Sequence, residues 1–101
     1  MIYHVEFTKY ALKELKKLDK GTAALIVGWI RKNLEGCENP RIHGKGLTAD
    51  KSGQWRYRVG DYRIIAQIQD EKVTILLVNI GHRREIYKKI SKLIKKKGKE
   101  K

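Results

Sequence analysis

The chain has very few of the residues that form disulfides, thiol nucleophiles or rigid turns. It contains one cysteine, one proline and one methionine among 101 residues. Because Cys37 is alone, an intrachain disulfide is excluded, and the composition is typical of a reducing cytosol. Glu35 and Glu38 lie on either side of Cys37 and disfavour a thiolate, so we expect no catalytic thiol.

The sequence also lacks the usual signals of a metal site or a membrane segment. The histidines His4, His43 and His82 do not have ligand-like spacing to carboxylates or to the cysteine. We therefore expect neither a metal nor another cofactor. No apolar run approaches the ~20 residues that span a bilayer. The segment Met1–Val5 lacks the pattern of a signal peptide. We therefore expect a soluble cytoplasmic protein with no membrane partner.

Acidic residues are scarce relative to basic ones. The chain has 24 lysines and arginines against 11 aspartates and glutamates, which gives a formal net charge of +13 and a pI near 10.0. This charge favours a polyanionic partner, although a membrane surface or an acidic protein would satisfy it too. Eight lysines against Glu100 alone follow Tyr87, so much of the excess lies at the C-terminal end. The length predicts one domain over residues 1–97 and a basic tail over residues 98–101.

Apolar periodicity in the first half predicts a strand followed by two helices. Alternation over Ile2–Phe7 is typical of a half-buried strand. Apolar residues at helical spacing after a Thr8 N-cap predict a helix that ends near Asp19. Thr22 is the expected cap of a second helix, which ends before Gly36. The short turn between the helices predicts an antiparallel helical hairpin.

The second half predicts three strands and a final helix. Residues 36–53 contain Pro40 and four glycines, so we expect a long irregular connection anchored by Leu47. Hairpin turns at Gly60-Asp61 and Asp70-Glu71 separate the predicted strands, which are Gln54–Val59, Tyr62–Gln69 and Lys72–Ile80. Helical spacing over Arg84–Lys97 predicts a C-terminal helix. The order β-α-α-β-β-β-α indicates an α+β fold, with an antiparallel meander packed on the helical hairpin.

The first of these hairpins gathers arginines on one face. With Gly60-Asp61 as a two-residue loop, Arg58 faces Arg63 across the ladder, and Arg56 lies on the same side. Like charges at opposed positions are unfavourable unless an anion lies between them. The other face is apolar and aromatic, as a core requires: Trp55, Tyr57, Val59, Tyr62 and Ile64.

A second motif, Gly81–Tyr87, lies where the last predicted strand gives way to a helix. The meander brings its strands side by side, so this corner is expected near the arginines. The predicted result is one concave surface formed by Arg56, Arg58, Arg63, His82, Arg83 and Tyr87.

Such a surface fits RNA cleavage by attack of the 2′-hydroxyl. Arginines stabilise the charge on the phosphorane but are poor proton carriers, because their pKa exceeds ~12. Proton transfer is therefore assigned to His82 or Tyr87, with Glu85 as a group that orients either one. Two simpler interpretations stay open: the arginines bind a phosphate backbone without cutting it, or His82 and Tyr87 are only packed structural residues.

Taken together, these motifs resemble the RelE/ParE superfamily, and within it the RelE-type toxins of toxin–antitoxin pairs. The resemblance is carried by the helical hairpin, by Trp55–Ile65 and by Val78–Arg83 followed by Ile86-Tyr87. It implies a microbial-ribonuclease-like fold and a metal-independent endoribonuclease that cuts mRNA in the ribosomal A site. It also implies a RelB-like antitoxin, the ribosome and mRNA as partners, with operator DNA contacted only indirectly through the antitoxin complex.

The family pattern also implies roles for individual residues. Arg63 and Arg83 match phosphate-stabilising arginines, and Tyr87 matches the aromatic position near the 2′-hydroxyl. Arg56 and Arg58 match a cationic pair that is lysine in the best-known enzymes. Because arginine does not shuttle protons, the base role is expected of Tyr87 or His82, and His82 has no firm counterpart in the family. The alternatives are a ParE-like noncatalytic inhibitor of DNA gyrase and a basic RNA-binding module.

Overall fold

Capping side chains fix the two N-terminal helices. The computed structural model describes residues 1–47 and 53–88. Strand β1 (His4–Phe7) leads into helix α1 (Lys9–Lys17), and the Thr8 hydroxyl accepts a hydrogen bond from the Ala11 N–H at 3.0 Å. Helix α2 (Lys20–Asn33) follows after two residues. The predicted bounds are close to those observed, with β1 starting two residues later than expected.

The N-cap of α2 is Asp19, so the predicted cap at Thr22 is wrong. The Asp19 carboxylate accepts hydrogen bonds from the Thr22 N–H at 3.0 Å and from the Thr22 hydroxyl at 2.6 Å. Both residues are favourable caps, and Asp19 comes first in the chain, with its extended backbone placing the carboxylate over the free N–H groups. Helix α2 therefore begins two residues earlier than Thr22.

One five-stranded sheet forms the centre of the fold. The remaining strands are β2 (Gly44–Gly46), β3 (Gln54–Val59), β4 (Tyr62–Gln69) and β5 (Thr74–His82). Their spatial order is β1-β5-β4-β3-β2, with β1 parallel to β5 and every other pair antiparallel. The predicted α+β fold and meander are confirmed, and β3 and β4 have the predicted bounds.

Strand β5 lies two residues further along the chain than predicted. Asp70–Lys72 form a short 3-10 helix, and Val73 then adopts a left-handed conformation with φ of 49°. The turn therefore uses four residues in place of the expected two, and the strand continues through His82. A shift of two residues keeps the side-chain alternation, but the β4–β5 register also shifts by one residue between Ile65 and Ala66, and this change decides which face of the sheet His82 occupies.

The connection predicted to be irregular contains regular structure. A 3-10 helix at Pro40–His43 leads directly into β2, which pairs with β3. Gly44 permits this approach, because a Cβ there would collide with the carbonyl oxygen of Arg56 and lie 2.8 Å from the Tyr57 ring. Leu47 is half-buried, and its N–H bonds to the Gln54 carbonyl oxygen at 3.2 Å.

The main core lies between the helices and one face of the sheet. Ile26, Ile30 and Leu34 of the α2 segment are buried together with Tyr57 and Ile64 of the hairpin, as the alternation predicted. Within the described residues, no helix has the length and apolar character needed to cross a membrane.

The other face of the sheet is covered in part by the start of the C-terminal helix. Residues 83–88 are helical, and the rest of the predicted helix and the basic tail lie outside the described residues. Ile86 is buried at 1% exposure and would contact a Cβ at Gly81 at 3.6 Å. Ile65, also buried, belongs to the same face. This packing places the first turns of the helix beside the arginine hairpin.

Candidate functional site

The β3–β4 hairpin has the predicted register and opposes two arginines. Arg58 pairs with Arg63, and Val59 pairs with Tyr62 around the Gly60-Asp61 loop. Gly60 has a φ of 59°, a conformation available to glycine at the first position of a type II′ turn. The tight loop therefore fixes the register and brings the two guanidinium groups to the same side of the sheet.

Arg63 is buried to an unusual degree for a cation. Only 6% of the surface of Arg63 is exposed. Its Nη1 atom donates hydrogen bonds to the carbonyl oxygens of Gly60 and Tyr62, both at 2.9 Å. These bonds satisfy part of the guanidinium and hold it at the hairpin. Arg63 is thus a fixed positive charge in the wall of the site, whereas Arg58 is exposed.

A groove of about 350 Å³ runs over this cationic face. Strand β2 adds Lys45, which pairs with Arg56 in the β2–β3 register and extends the row of positive charge. The C-terminal helix closes the groove with Tyr87. The lining residues are Ile42, His43, Gly44, Lys45, Arg56, Arg58, Arg63 and Tyr87.

Tyr87 is held at the groove by Arg56. The Arg56 Nη1 donates to the Tyr87 hydroxyl at 3.3 Å, and the guanidinium carbon lies 5.6 Å from the ring centroid. Hydrogen bonding to the Arg63 guanidinium, followed by the positive charge of Arg56 and, more weakly, of Arg83, lowers the pKa of the Tyr87 phenol. Cationic neighbours favour the phenolate, which is the form able to accept a proton.

Arg83 borders this groove at the start of the C-terminal helix. Its N–H donates to the carbonyl oxygen of Asp61 at 2.8 Å, which ties the helix to the hairpin loop. The side chain is exposed, and its charge reaches Tyr87 one helical turn later. Four of the six predicted residues therefore line one groove, and Arg83 stands at its edge.

His82 lies on the opposite face of the sheet, which corrects the predicted concave surface. Gly81 pairs with Arg63, so the next residue, His82, faces the other way beside its partner Tyr62. The two rings meet edge to face with centroids 5.6 Å apart. His82 and Glu85 both line a separate cavity near α1, so Glu85 does not reach the groove either.

The side chain of His82 instead caps the C-terminal helix. Its Nδ1 atom lies 3.3 Å from the Arg84 backbone nitrogen and accepts that N–H. A neutral imidazole satisfies one of the free N–H groups at a helix start, as other capping side chains do. This hydrogen bond stabilises the start of the helix that carries Arg83 and Tyr87.

His43 is a groove residue that the sequence interpretation missed. It ends the 3-10 helix and is half-buried, and its ring forms a T-shaped pair with Trp29 at a centroid separation of 6.4 Å. The segment around it was assigned to an irregular connection, so no strand register linked it to Arg56. Pro40 before it was the available signal, because Gly44, Lys45 and Gly46 after it carry almost no apolar alternation.

The backbone that carries His43 is fixed from several sides. The Tyr57 hydroxyl donates to the Pro40 carbonyl oxygen at 2.8 Å, and the Trp55 Nε1 donates to the Arg41 carbonyl oxygen at 3.2 Å. Arg41 binds both carboxylate oxygens of Asp70 at 3.1 and 2.8 Å. This pairing, together with the Tyr3 hydroxyl, lowers the pKa of the Asp70 carboxyl.

Within residues 1–47 and 53–88, no three side chains from histidine, cysteine, aspartate and glutamate are grouped as metal ligands would be. The charged side chains that line the groove are one lysine and three arginines, which favour anions.

The chain is similar in sequence to known toxins. Residues 5–87 match the family described as ParE toxin of type II toxin-antitoxin system, parDE. Toxin RelG of Mycobacterium tuberculosis is 33% identical over 89 residues, which cover 88% of this chain and 100% of RelG. The mRNA interferase toxin RelE of Escherichia coli K12 is 31% identical over 97 residues, which cover 93% of this chain and 99% of that protein.

A solved toxin–antitoxin structure is also similar to the fold. The crystal structure of the RelBE2 complex from Mycobacterium tuberculosis contains a chain with a TM-score of 0.71 and 30% identity. The match covers 81% of this chain and 99% of that chain. The sheet, the hairpin register and these matches lead to one conclusion: the chain belongs to the RelE/ParE superfamily of toxins from type II toxin–antitoxin systems.

Proposed function

We propose that this toxin is a metal-independent endoribonuclease that cuts mRNA in the ribosomal A site and so inhibits translation. The observation that carries the proposal is the groove itself, where the Tyr87 hydroxyl meets Arg56 beside Arg58 and Arg63. A similar protein, Escherichia coli RelE, is named an mRNA interferase toxin. The expected site of action is the cytoplasm.

The arginines are suited to the phosphate of the scissile bond. Cleavage by the 2′-hydroxyl adds negative charge to the phosphorane, and fixed cations stabilise that charge. Arg63, held by Gly60 and Tyr62, is preorganised for this task. Arg58 and Arg83 are exposed and able to close around the phosphate from the two sides of the groove.

Tyr87 is the group in this site suited to remove the 2′-proton. Its lowered pKa increases the phenolate fraction at neutral pH, although an ordinary phenol titrates near ~10. A weak base of this kind gives slow cleavage on its own. The ribosome compensates by holding the mRNA for in-line attack, because positioning alone supplies several orders of magnitude in rate. The +13 charge favours docking onto ribosomal RNA.

The partner we propose for this toxin is a RelB-like antitoxin. The similar chain from Mycobacterium tuberculosis is part of a toxin–antitoxin complex. Between α1, α2 and β1 this protein has an apolar groove that includes Val5, Leu12 and Ile30, and Leu25 of α2 is 61% exposed. Apolar antitoxin segments with acidic flanks fit this surface and the excess positive charge.

The second candidate function is inhibition of DNA gyrase without catalysis. It is favoured by the family match, whose description is that of a ParE toxin. The groove is the feature that separates the two candidates, because gyrase inhibition needs no clustering of Arg56, Arg63 and Tyr87. We therefore rank ribosome-dependent cleavage first.

Mapping of mRNA 5′ ends in a translating extract tests the proposal. Wild type is expected to create new ends within A-site codons, and both Arg83→Ala and Tyr87→Ala should lose most of them. Lys32→Ala, a change on the exposed face of α2, is the matched loss of one positive charge away from the groove. Absence of new ends, or undiminished cutting by both groove variants, would overturn the proposal. Gyrase inhibition and DNA breaks would favour the second candidate.

A further inference from the structure

We infer that His43 is the general acid of the cleavage reaction and protonates the departing 5′-oxygen. The inference rests on the proposed function and assigns a role to a residue that neither the family motifs nor the hairpin pattern indicates. It starts from the position of His43 in the same groove as Arg56, Arg58, Arg63 and Tyr87.

His43 is fixed in both its backbone and its ring. Its 3-10 helix begins with the fully buried Pro40, whose carbonyl oxygen accepts the Tyr57 hydroxyl, and continues through Arg41, which is clamped on Asp70. The imidazole and the Trp29 ring form a T-shaped pair, with an interplanar angle of 85°. The Trp29 ring in turn packs against the Tyr57 ring, with the two ring centroids 5.7 Å apart. Such support keeps a proton donor in a reproducible place.

Among the groups that line the groove, His43 is the one with the chemistry of an acid near neutral pH. Guanidinium and ammonium groups hold their protons far above neutral pH, so arginine and lysine side chains are poor acids there. An imidazole titrates near ~6.5, close to the operating pH at which a general acid is most effective. Tyr87 is assigned to the base role by its cationic neighbours, which leaves the acid role for a second residue.

The two side chains complete a balanced reaction. The Tyr87 phenolate removes the proton of the 2′-hydroxyl, and the 2′-oxygen forms a bond to phosphorus. The bond from phosphorus to the 5′-oxygen breaks, and its electron pair takes the proton of the His43 imidazolium. The products are a 2′,3′-cyclic phosphate and a 5′-hydroxyl, with a neutral imidazole and a neutral phenol. No water, metal or oxidant is consumed.

A leaving-group substitution tests this role directly. The assay measures single-turnover cleavage on ribosomes programmed with an mRNA whose A-site linkage carries sulfur in place of the bridging 5′-oxygen. A thiolate leaves without protonation, so the need for an acid disappears. On the oxygen substrate, His43→Gln should cut about 10²–10³-fold more slowly than wild type. On the sulfur substrate, His43→Gln should cut within about tenfold of wild type, whereas Tyr87→Phe should stay slow on both.

Further variants separate chemistry from folding. His43→Asn should behave as His43→Gln does, and both should keep the wild-type melting temperature. His4→Gln, which replaces an exposed histidine paired with Glu35, should cut normally. The inference is overturned if His43→Gln cuts the oxygen linkage at the wild-type rate, or if sulfur fails to restore its rate. Failure of wild type to cut either substrate would overturn the proposed function and this inference with it.

Discussion

The Arg56 guanidinium donates a hydrogen bond to the Tyr87 hydroxyl at 3.3 Å and lies 5.6 Å from the centre of its ring. One residue belongs to strand β3 and the other to the C-terminal helix, 31 positions later. The contact therefore joins the two sequence motifs at the groove. It also gives Arg56 two tasks, since the same group orients the phenol and stabilises its phenolate.

Replacement of Arg56 with glutamine is expected to raise the pKa of Tyr87. Its positive charge is one of the influences that lower this pKa, and glutamine keeps a donor without the charge. Cleavage should therefore fall more at pH 7 than at pH 9, because less phenolate remains at the lower pH. Absorbance titration of tyrosinate measures this change in pKa. The Tyr87 signal is the difference between Arg56→Gln and the double variant that also carries Tyr87→Phe. An equal loss of rate at both pH values would contradict the electrostatic role.

Replacement of His82 is expected to act through the C-terminal helix. His82→Ala removes the acceptor for the Arg84 N–H and should weaken the helix start by about 0.5–2 kcal/mol, with a lower cleavage rate. His82→Asn supplies another good cap and should recover most of that rate. Single-turnover cleavage and helix content by circular dichroism measure the two effects. If asparagine were as damaging as alanine, the imidazole would have a role beyond capping.

Two glycines provide a matched pair for stability. Gly44→Ala places a Cβ against the Arg56 carbonyl oxygen and should destabilise the fold by about 1–3 kcal/mol. Gly28→Ala, on the exposed side of α2 with open space around it, should stabilise by about 0.5–1 kcal/mol. Denaturant unfolding gives both values. A stable Gly44→Ala protein would contradict the close packing of β2 on β3.

The pair of Arg41 and Asp70 should make stability depend on pH. The folded pKa of Asp70 lies below its unfolded value of ~3.9, so the stabilisation is present above pH ~4 and is lost as pH falls through the folded pKa. Asp70→Asn should cost about 0.5–1 kcal/mol at pH 7, since the pair is partly exposed. Unfolding measured at pH 7 and pH 3 should give a smaller difference at pH 3. A difference that grows on acidification would have the wrong sign.

Local pattern was sufficient for the hairpin and its register. Alternation over Gln54–Val59 and Tyr62–Gln69, together with a two-residue loop containing Gly60, permits one pairing that buries Tyr57 and Ile64. The opposed arginines follow from that pairing. These features depend on neighbours close in the chain, which is why the sequence predicts them.

Features that depend on distant pairing were not predictable from the same pattern. The parallel contact of β1 with β5 joins residues about 70 positions apart, and β2 consists of Gly44, Lys45 and Gly46, which carry almost no apolar alternation. His43 reaches the groove only because β2 pairs with β3. His82 was misplaced for a different reason, namely that the β4–β5 register shifts by one residue between Ile65 and Ala66, which moves His82 to the face opposite Arg63.

The central claim is that this groove cuts mRNA on the ribosome with Tyr87 as the base. Single-turnover cleavage of an A-site codon by wild type and Tyr87→Phe, with and without programmed ribosomes, tests it most directly. We predict a 2′,3′-cyclic phosphate within the A-site codon only when ribosomes are present, formed at least about 10²-fold more slowly by Tyr87→Phe. Cleavage at equal rates by the two proteins, or no cleavage on ribosomes by wild type, would contradict the claim.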